Sequence, residues 1–464
     1  MTTLAEISDH QLKQLKLFET EDISSATSDN GSSYFSDPSF ANNKTQPIHR
    51  WVPWIAGFSS SFVKDVLNKY LEDQGTVLDP FCGVGTTLVE ALLCGHNAIG
   101  FEINPYAAQA SRTKVSAHQI ATSKLYEEIS RFQAFYRDKT SDSYAPKSAP
   151  PEGFKTRTEF YSPKVLHKVL VLHDFIDTIG DPSIRDLFRL AFASTMVCYS
   201  NYSYEPSLGR RVSAGKSDIH DFPVGRTITD KLLEMLEDVS WFLKNSPAKL
   251  SDAKVLNDSF FRYQKYLAPA SIDLVVTSPP YLNNYHYNRN TRPQLYWLGY
   301  AKCPEDLKPL ERLNFGKYWQ TVREQDKLDL EFPLLNTDLK EQLQTLRELK
   351  PEKGVYGGNG WANYAAAYFN DCHTFAKALK HVLRPNATAL VVIGNSILQG
   401  VMIPTDRYFG NIAESVGLEL VRIDVPRTTR VGNSIIQSDV RVVKAKKSHQ
   451  LYEAIVELRK PGVC

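Results

Sequence analysis

The sequence predicts an α/β protein built on a doubly wound, mostly parallel sheet. Three stretches carry that expectation. Residues 77–104 run from Val77-Leu78-Asp79 through a glycine turn and an apolar stretch to Ala98-Ile99-Gly100-Phe101, which parses as strand, turn, helix, turn, strand. Ile272-Asp273-Leu274-Val275-Val276 is a short apolar run that reads as a buried strand. Residues 418–425, 434–443 and 452–458 alternate apolar with polar, as strands of an edge with an antiparallel hairpin do. The last strand is therefore expected to be antiparallel.

The elements follow in order. Residues 1–47, rich in Ser, Asn, Asp and Thr from 22 onward, read as a flexible N-terminal segment. Phe62 to Leu71 has helical spacing and leads into the strand at Val77-Leu78. A catalytic unit is expected from residues 48–115, 251–300 and 376–464. Two interruptions are too long to be ordinary connections. The first, 116–250, holds helical stretches at Lys164 to Ile179 and Ile184 to Tyr199, then a polar, basic loop from Asn201 to Arg211. The second, 301–375, contains Tyr356-Gly357-Gly358-Asn359-Gly360-Trp361. Both stand as candidate recognition segments, because the sequence stops soon after the last expected strand.

Two motifs carry chemistry. Gly83 and Gly85 permit a tight turn and close approach of backbone to a ligand. Thr86 and Thr87 open a helix whose unpaired N–H groups face the same place. Glu102 follows at about the 20-residue distance from which an acidic side chain reaches ribose hydroxyls. A third glycine is missing, which departs from the dinucleotide fingerprint. The second motif is Thr277-Ser278-Pro279-Pro280-Tyr281, at the end of the apolar strand. The prolines remove donors and stiffen the turn. Ser278 offers an acceptor and Tyr281 a flat ring, which suits a planar base carrying an exocyclic amine. A Pro-rich turn with a packed tyrosine reads equally well from the pentapeptide alone.

Composition limits the choices. Hydrophobic residues make up 42% of 464 and the formal net charge is +2, so any nucleic-acid surface must be a local patch. The six cysteines, at 82, 94, 198, 303, 372 and 464, show no Cys-x-x-Cys and no zinc spacing, so no metal is expected. Neither a signal peptide nor a bilayer-length apolar run is visible. A cytoplasmic protein without a membrane role is the expectation.

Taken together, the two motifs resemble those of the amino-group DNA methyltransferases that use S-adenosylmethionine. Asp79-Pro80-Phe81-Cys82-Gly83-Val84-Gly85-Thr86-Thr87 is similar to their cofactor motif, and Thr277-Ser278-Pro279-Pro280-Tyr281 to their catalytic motif in its serine, cytosine-N4 version. Adenine-N6 enzymes more often carry Asp or Asn at the position of Ser278. Residues 48–63 resemble the segment covering the methionine end of the cofactor, and Val255-Leu256-Asn257-Asp258-Ser259 the strand end that contacts adenine. The resemblance implies a Rossmann-like methyltransferase fold. It implies cofactor contacts at Asp79, Pro80, Phe81, Gly83, Gly85, Thr86, Thr87, Glu102, Asn104, Asp258 and Thr277. It implies catalytic roles for Ser278, Pro279, Pro280 and Tyr281.

The implied partner is double-stranded DNA, with a restriction endonuclease acting on the same site without a stable complex. Arg289 and Arg292, after the catalytic loop, and Arg210 and Arg211, in the first interruption, are candidate phosphate contacts. Lys216, Arg226, and Arg427 with Arg430, are further candidates. The alternatives are adenine-N6 methylation, methylation of an RNA base amine, and a non-catalytic nucleic-acid-binding subunit. An intact Ser-Pro-Pro-Tyr and glycine turn speak against the last.

Overall fold

The computed structural model describes residues 33–39, 43–54, 57–140, 144–204, 208–248, 251–282, 287–334, 337–429 and 451–462. Among these, seven strands form one sheet: β1 (Thr76–Asp79), β2 (Asn97–Phe101), β3 (Ala253–Leu256), β4 (Ile272–Thr277), β5 (Leu383–Gly394), β6 (Glu419–Thr429) and β7 (Leu451–Arg459). Their order is β6-β7-β5-β4-β1-β2-β3. The five strands from β3 to β5 are parallel. β7 lies antiparallel between β5 and β6. The expected α/β doubly wound sheet with its antiparallel last strand is what the chain forms. The alternating stretch at 434–443 lies outside the described residues.

Alternation along the strands assigns two cores, one per face. Val77, Leu274, Val276, Leu390 and Val392 point into one, while Leu78, Val275, Val391 and Ile393 point into the other. On the first face pack α1 (Ser60–Tyr70), α2 (Thr86–Leu93) and α3 (Pro105–Val115). The same core continues without a break into α4 (Thr122–Lys139), α5 (Pro163–Ile176), α6 (Pro182–Thr195) and α7 (Val224–Asn245). The first interruption is thus helical but shares its core with the sheet. On the second face pack α8 (Leu339–Arg347), α9 (Gly358–Val382) and α10 (Thr405–Ser415).

Two expected boundaries shift. The one at 376 falls inside α9, whose Phe369 and Phe375 are fully buried against the sheet. At its glycine-rich start, Gly357 and Gly358 sit where a side chain would strike the carbonyls of Lys350 and Leu346. The expected flexible segment up to 47 also ends earlier. Phe35 is buried beside Phe62, and Asn43 donates to the Phe58 carbonyl (3.0 Å) and accepts from Ser60 N (2.8 Å).

The segment before α1 is clamped from the first interruption. Asp238 on α7 accepts from Ile48 N (2.8 Å), Trp51 Nε1 (2.9 Å) and Arg50 Nη2 (2.6 Å). Ile48 has φ 66°, a conformation that costs a β-branched residue roughly 1–3 kcal/mol. Asp238 supplies the bonds that hold it there. Lys114, fully buried on α3, donates to the His49 carbonyl, and burial draws its ammonium down to about 7.

Candidate active site

The chain leaves β1 toward β2 on one side, and β4 lies on the other. Ligands of doubly wound sheets bind at such a reversal, outside the carboxyl ends of the strands. A cleft opens there. Among its walls are Pro80, Phe81 and Gly83 after β1, Glu102 and Asn104 after β2, Asp258 after β3, and Ser278 and Pro280 after β4. Eight of the residues expected at the site thus meet in one cleft. Trp54, Phe101, Phe260, Phe261, Asn288 and Leu313-Asn314-Phe315 are also among its walls.

The glycine turn is shaped by hydrogen bonds to Glu102. Gly83 N donates to Glu102 Oε2 (3.0 Å) and Asn104 N to Oε1 (2.7 Å). Burial, with help from Asp79, pushes the Glu102 carboxyl up to about 7 against these two amide donors. Gly83 has φ 50°, and a side chain there would press on Trp54 Nε1 at 3.2 Å. Gly85 serves a different need from the one expected. A Cβ on it would meet Ser111 Oγ at 2.4 Å, so it allows α2 and α3 to pack rather than a ligand to approach. Asn104 caps α3, accepting from Tyr106 N and Ala107 N, and donates to Thr291 Oγ1 (2.8 Å).

Asp79, Thr87 and Thr277 are not among the cleft walls. Asp79 Oδ1 accepts from Thr277 Oγ1 (2.6 Å) and Phe81 N (3.1 Å), and its Oδ2 accepts from Thr87 Oγ1 (2.7 Å). All three side chains are buried, Thr87 and Thr277 completely. Burial raises the Asp79 carboxyl to about 6 despite these donors. The trio fastens the first turn of α2 and the catalytic strand end to the end of β1, so it acts behind the cleft. Thr86 is likewise buried at the start of α2. Sequence marks these residues as a motif but cannot tell a wall from its backing.

Asp258 faces the cleft with partners already in place: Arg262 Nη1 (3.1 Å) on Oδ1 and the Tyr266 hydroxyl (2.9 Å) on Oδ2. Asn257 Nδ2 ties this strand end to the Glu102 carbonyl (2.8 Å).

At the end of β4, Ser278 is half-buried and Pro279 buried. Tyr281 stands beside the cleft rather than in its wall. Its hydroxyl donates to Glu453 Oε1 (3.2 Å) on β7, and its ring rests against Gly394, where a Cβ would come within 2.9 Å of Cδ2 and Cε2. Asn283 to His286 and the Tyr287 side chain lie outside the described residues. Asn288 is a wall residue that sequence reasoning passed over. It is buried, and its Nδ2 donor has no hydrogen-bond partner among the described residues.

The arginines divide. Arg289 is exposed and Arg210 half-exposed. Arg211 is 9% exposed with Nε donating to the Ser217 carbonyl (2.9 Å), and so holds its own loop. Arg292 donates to the Lys155 carbonyl (3.1 Å) and lies 5.6 Å and 5.5 Å from the Phe154 and Tyr296 rings. Both therefore already have partners within the protein, Arg211 in its own loop and Arg292 in the first interruption. Arg226 is exposed with Asp230 3.7 Å away, whereas Arg430 and the Arg427 side chain lie outside the described residues.

S-adenosylmethionine fits the cleft by its charge and shape. No described wall residue is Lys or Arg, which disfavours a polyphosphate and suits a sulfonium cation. Ring faces at Trp54 and Phe81 add to that preference. Glu102 retains acceptor capacity on both oxygens for ribose hydroxyls. Phe101, Phe260 and Phe261 offer an apolar slot for adenine.

Comparisons with known proteins agree. Residues 9–113 match the family described as DNA methylase. The Type II methyltransferase M.BsoBI of Geobacillus stearothermophilus is 23% identical over 455 residues, covering 89% of this chain and 87% of its own. M.AvaI of a Nostoc species is 24% identical over 421 residues, covering 85% and 84%. M.MvaI of Kocuria varians is 24% identical over 388 residues, covering 79% and 81%. Among the described residues no helix is long and apolar enough to cross a membrane. The similarity runs well past the two motifs, and the proteins this chain resembles over most of its length are Type II DNA methyltransferases.

Proposed function

We propose that this enzyme methylates the exocyclic N4 amine of cytosine in duplex DNA, at a specific site and on a flipped-out base. The observation that carries the reading is Ser278, which lies at the carboxyl end of β4 and in the wall of the cofactor cleft. An exocyclic amine is a poor nucleophile while its lone pair is delocalised into the ring. Ser278 Oγ and the Pro279 carbonyl accept hydrogen bonds from it and turn that lone pair outward. These acceptors also meet the positive charge that develops on nitrogen. Asn288 Nδ2, a donor without a partner among the described residues, suits an acceptor on the pyrimidine edge. Tyr281 supports the extruded base by stacking. A serine hydroxyl is no base at neutral pH, so the amine proton leaves to solvent. S-adenosylmethionine, when bound, supplies the electrophilic methyl group. Glu102 and Asp258 hold its ribose and adenine, and the Asp79 trio keeps cofactor turn and catalytic strand in register.

The relatives named Type II methyltransferases make the modification arm of a restriction-modification system the setting we propose. A restriction endonuclease then shares the site without a stable complex. The test is methylation of mixed-sequence duplex DNA with labelled cofactor, followed by nucleoside mass spectrometry. N4-methylcytosine is expected. N6-methyladenine would overturn the base assignment, and label in RNA alone would overturn the substrate.

A further inference from the structure

The end of α9 that projects past the active site carries an aromatic and arginine cluster with no part in the cofactor cleft. Val382 closes the helix and Leu383 opens β5 opposite Ile272, the first residue of β4. The helix therefore ends at the amino edge of the sheet and begins at the edge where the cleft opens. Two ring contacts fix its height against the cleft. Phe315, a wall residue, packs edge-on against Tyr368 at 5.4 Å, and Phe81, another wall residue, against Phe375 at 5.3 Å. Trp361 stands about 10 Å of helix beyond Tyr368 on the open side.

There Trp361 stacks on Trp319 at 5.2 Å with 27° between planes, and Trp319 meets Tyr356 at 5.6 Å. The Arg323 guanidinium lies 4.7 Å from the Trp319 ring and 4.9 Å from the Tyr356 ring, with Glu324 at 3.2 Å as its ion pair. Tyr356 is 59% exposed. A tyrosine held from behind by a ring and a cation, with its outer side in water, is a prepared stacking surface. It stands on the edge from which a target amine must approach Ser278.

We propose that Tyr356 stacks on an unpaired base of the substrate DNA beside the extruded one, and so supports the opened duplex. This rests on the reading of the protein as a DNA methyltransferase. The occupant is DNA because the cluster is continuous with the catalytic edge and places a cation beneath the ring. An unpaired base is the form of DNA that offers a ring face, and base-on-aromatic stacking needs no particular sequence.

The test uses full-length protein with Tyr356→Ala and Tyr356→Phe, both checked for unchanged melting. Anisotropy measures binding of labelled oligo-dT and of a duplex containing the site that wild type methylates. Tyr356→Ala is expected to weaken both by about ten-fold and Tyr356→Phe to stay within about two-fold. On a duplex mismatched at the target, where opening is already favoured, the defect in methyl transfer should shrink. Wild-type affinity of Tyr356→Ala for oligo-dT and for duplex alike would overturn the proposal. A wild-type protein that methylates no DNA, yet binds oligo-dT through Tyr356, would retire the methyltransferase reading and leave the stacking contact standing.

Discussion

Glu102 should make cofactor binding depend on pH in a range where free carboxylates do not titrate. Its carboxyl is raised by burial from 4.5 to about 7 in the cofactor-free protein. Ribose hydroxyls donate to the anion, so binding favours the deprotonated form and releases a proton. Affinity should climb about ten-fold per unit as pH rises toward 7, then level off above it. Stability of the cofactor-free fold runs the other way. A raised carboxyl stabilises the folded state most fully below its unfolded value and loses that contribution as pH rises through about 7. The shift amounts to on the order of 3 kcal/mol. Asp79, raised to about 6 by the same cause, adds in the same direction. Glu102→Gln tests the assignment directly. The amide can offer an acceptor to Gly83 N or to Asn104 N but not to both, and it has no charge for the ribose. Losing a hydrogen bond to a charged group costs about 1.5–3 kcal/mol, so affinity should fall about ten- to a hundred-fold. Calorimetric titration with S-adenosylmethionine from pH 5.5 to 8.5 reads both effects. A flat wild-type profile, or a Gln variant with unchanged affinity, would refute the placement of ribose on this carboxylate.

Other outcomes can be measured alongside. Ser278→Ala should cut single-turnover methyl transfer while leaving DNA affinity nearly unchanged, since the acceptor is needed mainly in the transition state. Wild-type turnover would make the serine structural. Tyr281→Phe should keep measurable activity although it removes the hydroxyl's bond to Glu453, whereas Tyr281→Ala should lose both activity and DNA affinity, the latter by about 1–3 kcal/mol. Equal loss in both variants would shift the role from ring to hydroxyl. Thr277→Val deletes a buried donor to Asp79 at nearly constant volume and should destabilise the protein by about 1–3 kcal/mol in denaturant titration. An unchanged midpoint would show that Asp79 does not rely on it.

The centre of the sheet was legible because its signals are local. A strand, a glycine turn and a helix start follow one another within a few residues, and each has a steric cause. Ser278 and Glu102 were legible for the same reason, as each directly follows a strand. What escaped depended on distant partners. Arg292 looks like a surface cation until Lys155 and Phe154 are seen to receive it. Phe35 and Asn43 disappear into a polar stretch because their anchors lie on α1 and just before it. The start of α9 was hidden by three glycines, whose need arises from carbonyls contributed by the preceding turn. Leu313-Asn314-Phe315 had no signal at all. Nothing local marks a loop from the second interruption as the lid of a cleft formed by β1 to β4. Asp79 and Thr277, 198 residues apart, show the limit most clearly. The sequence presents these two side chains as separate cofactor contacts, and in the structure they contact each other.

β7 follows β6 in sequence yet separates it from β5 in space, and this has a consequence for the nascent chain. While residues 451–459 are still in the ribosome tunnel, β6 has no neighbour to pair with, and β5 presents an open edge. Glu453, the seat of the Tyr281 hydroxyl, is also missing at that stage. A partly synthesised or clipped chain therefore owns every wall of the cofactor cleft and yet lacks the strand that seats the Tyr281 hydroxyl. In such a fragment the walls of the cleft are all present before the edge of the sheet beside Tyr281 is closed by the seventh strand.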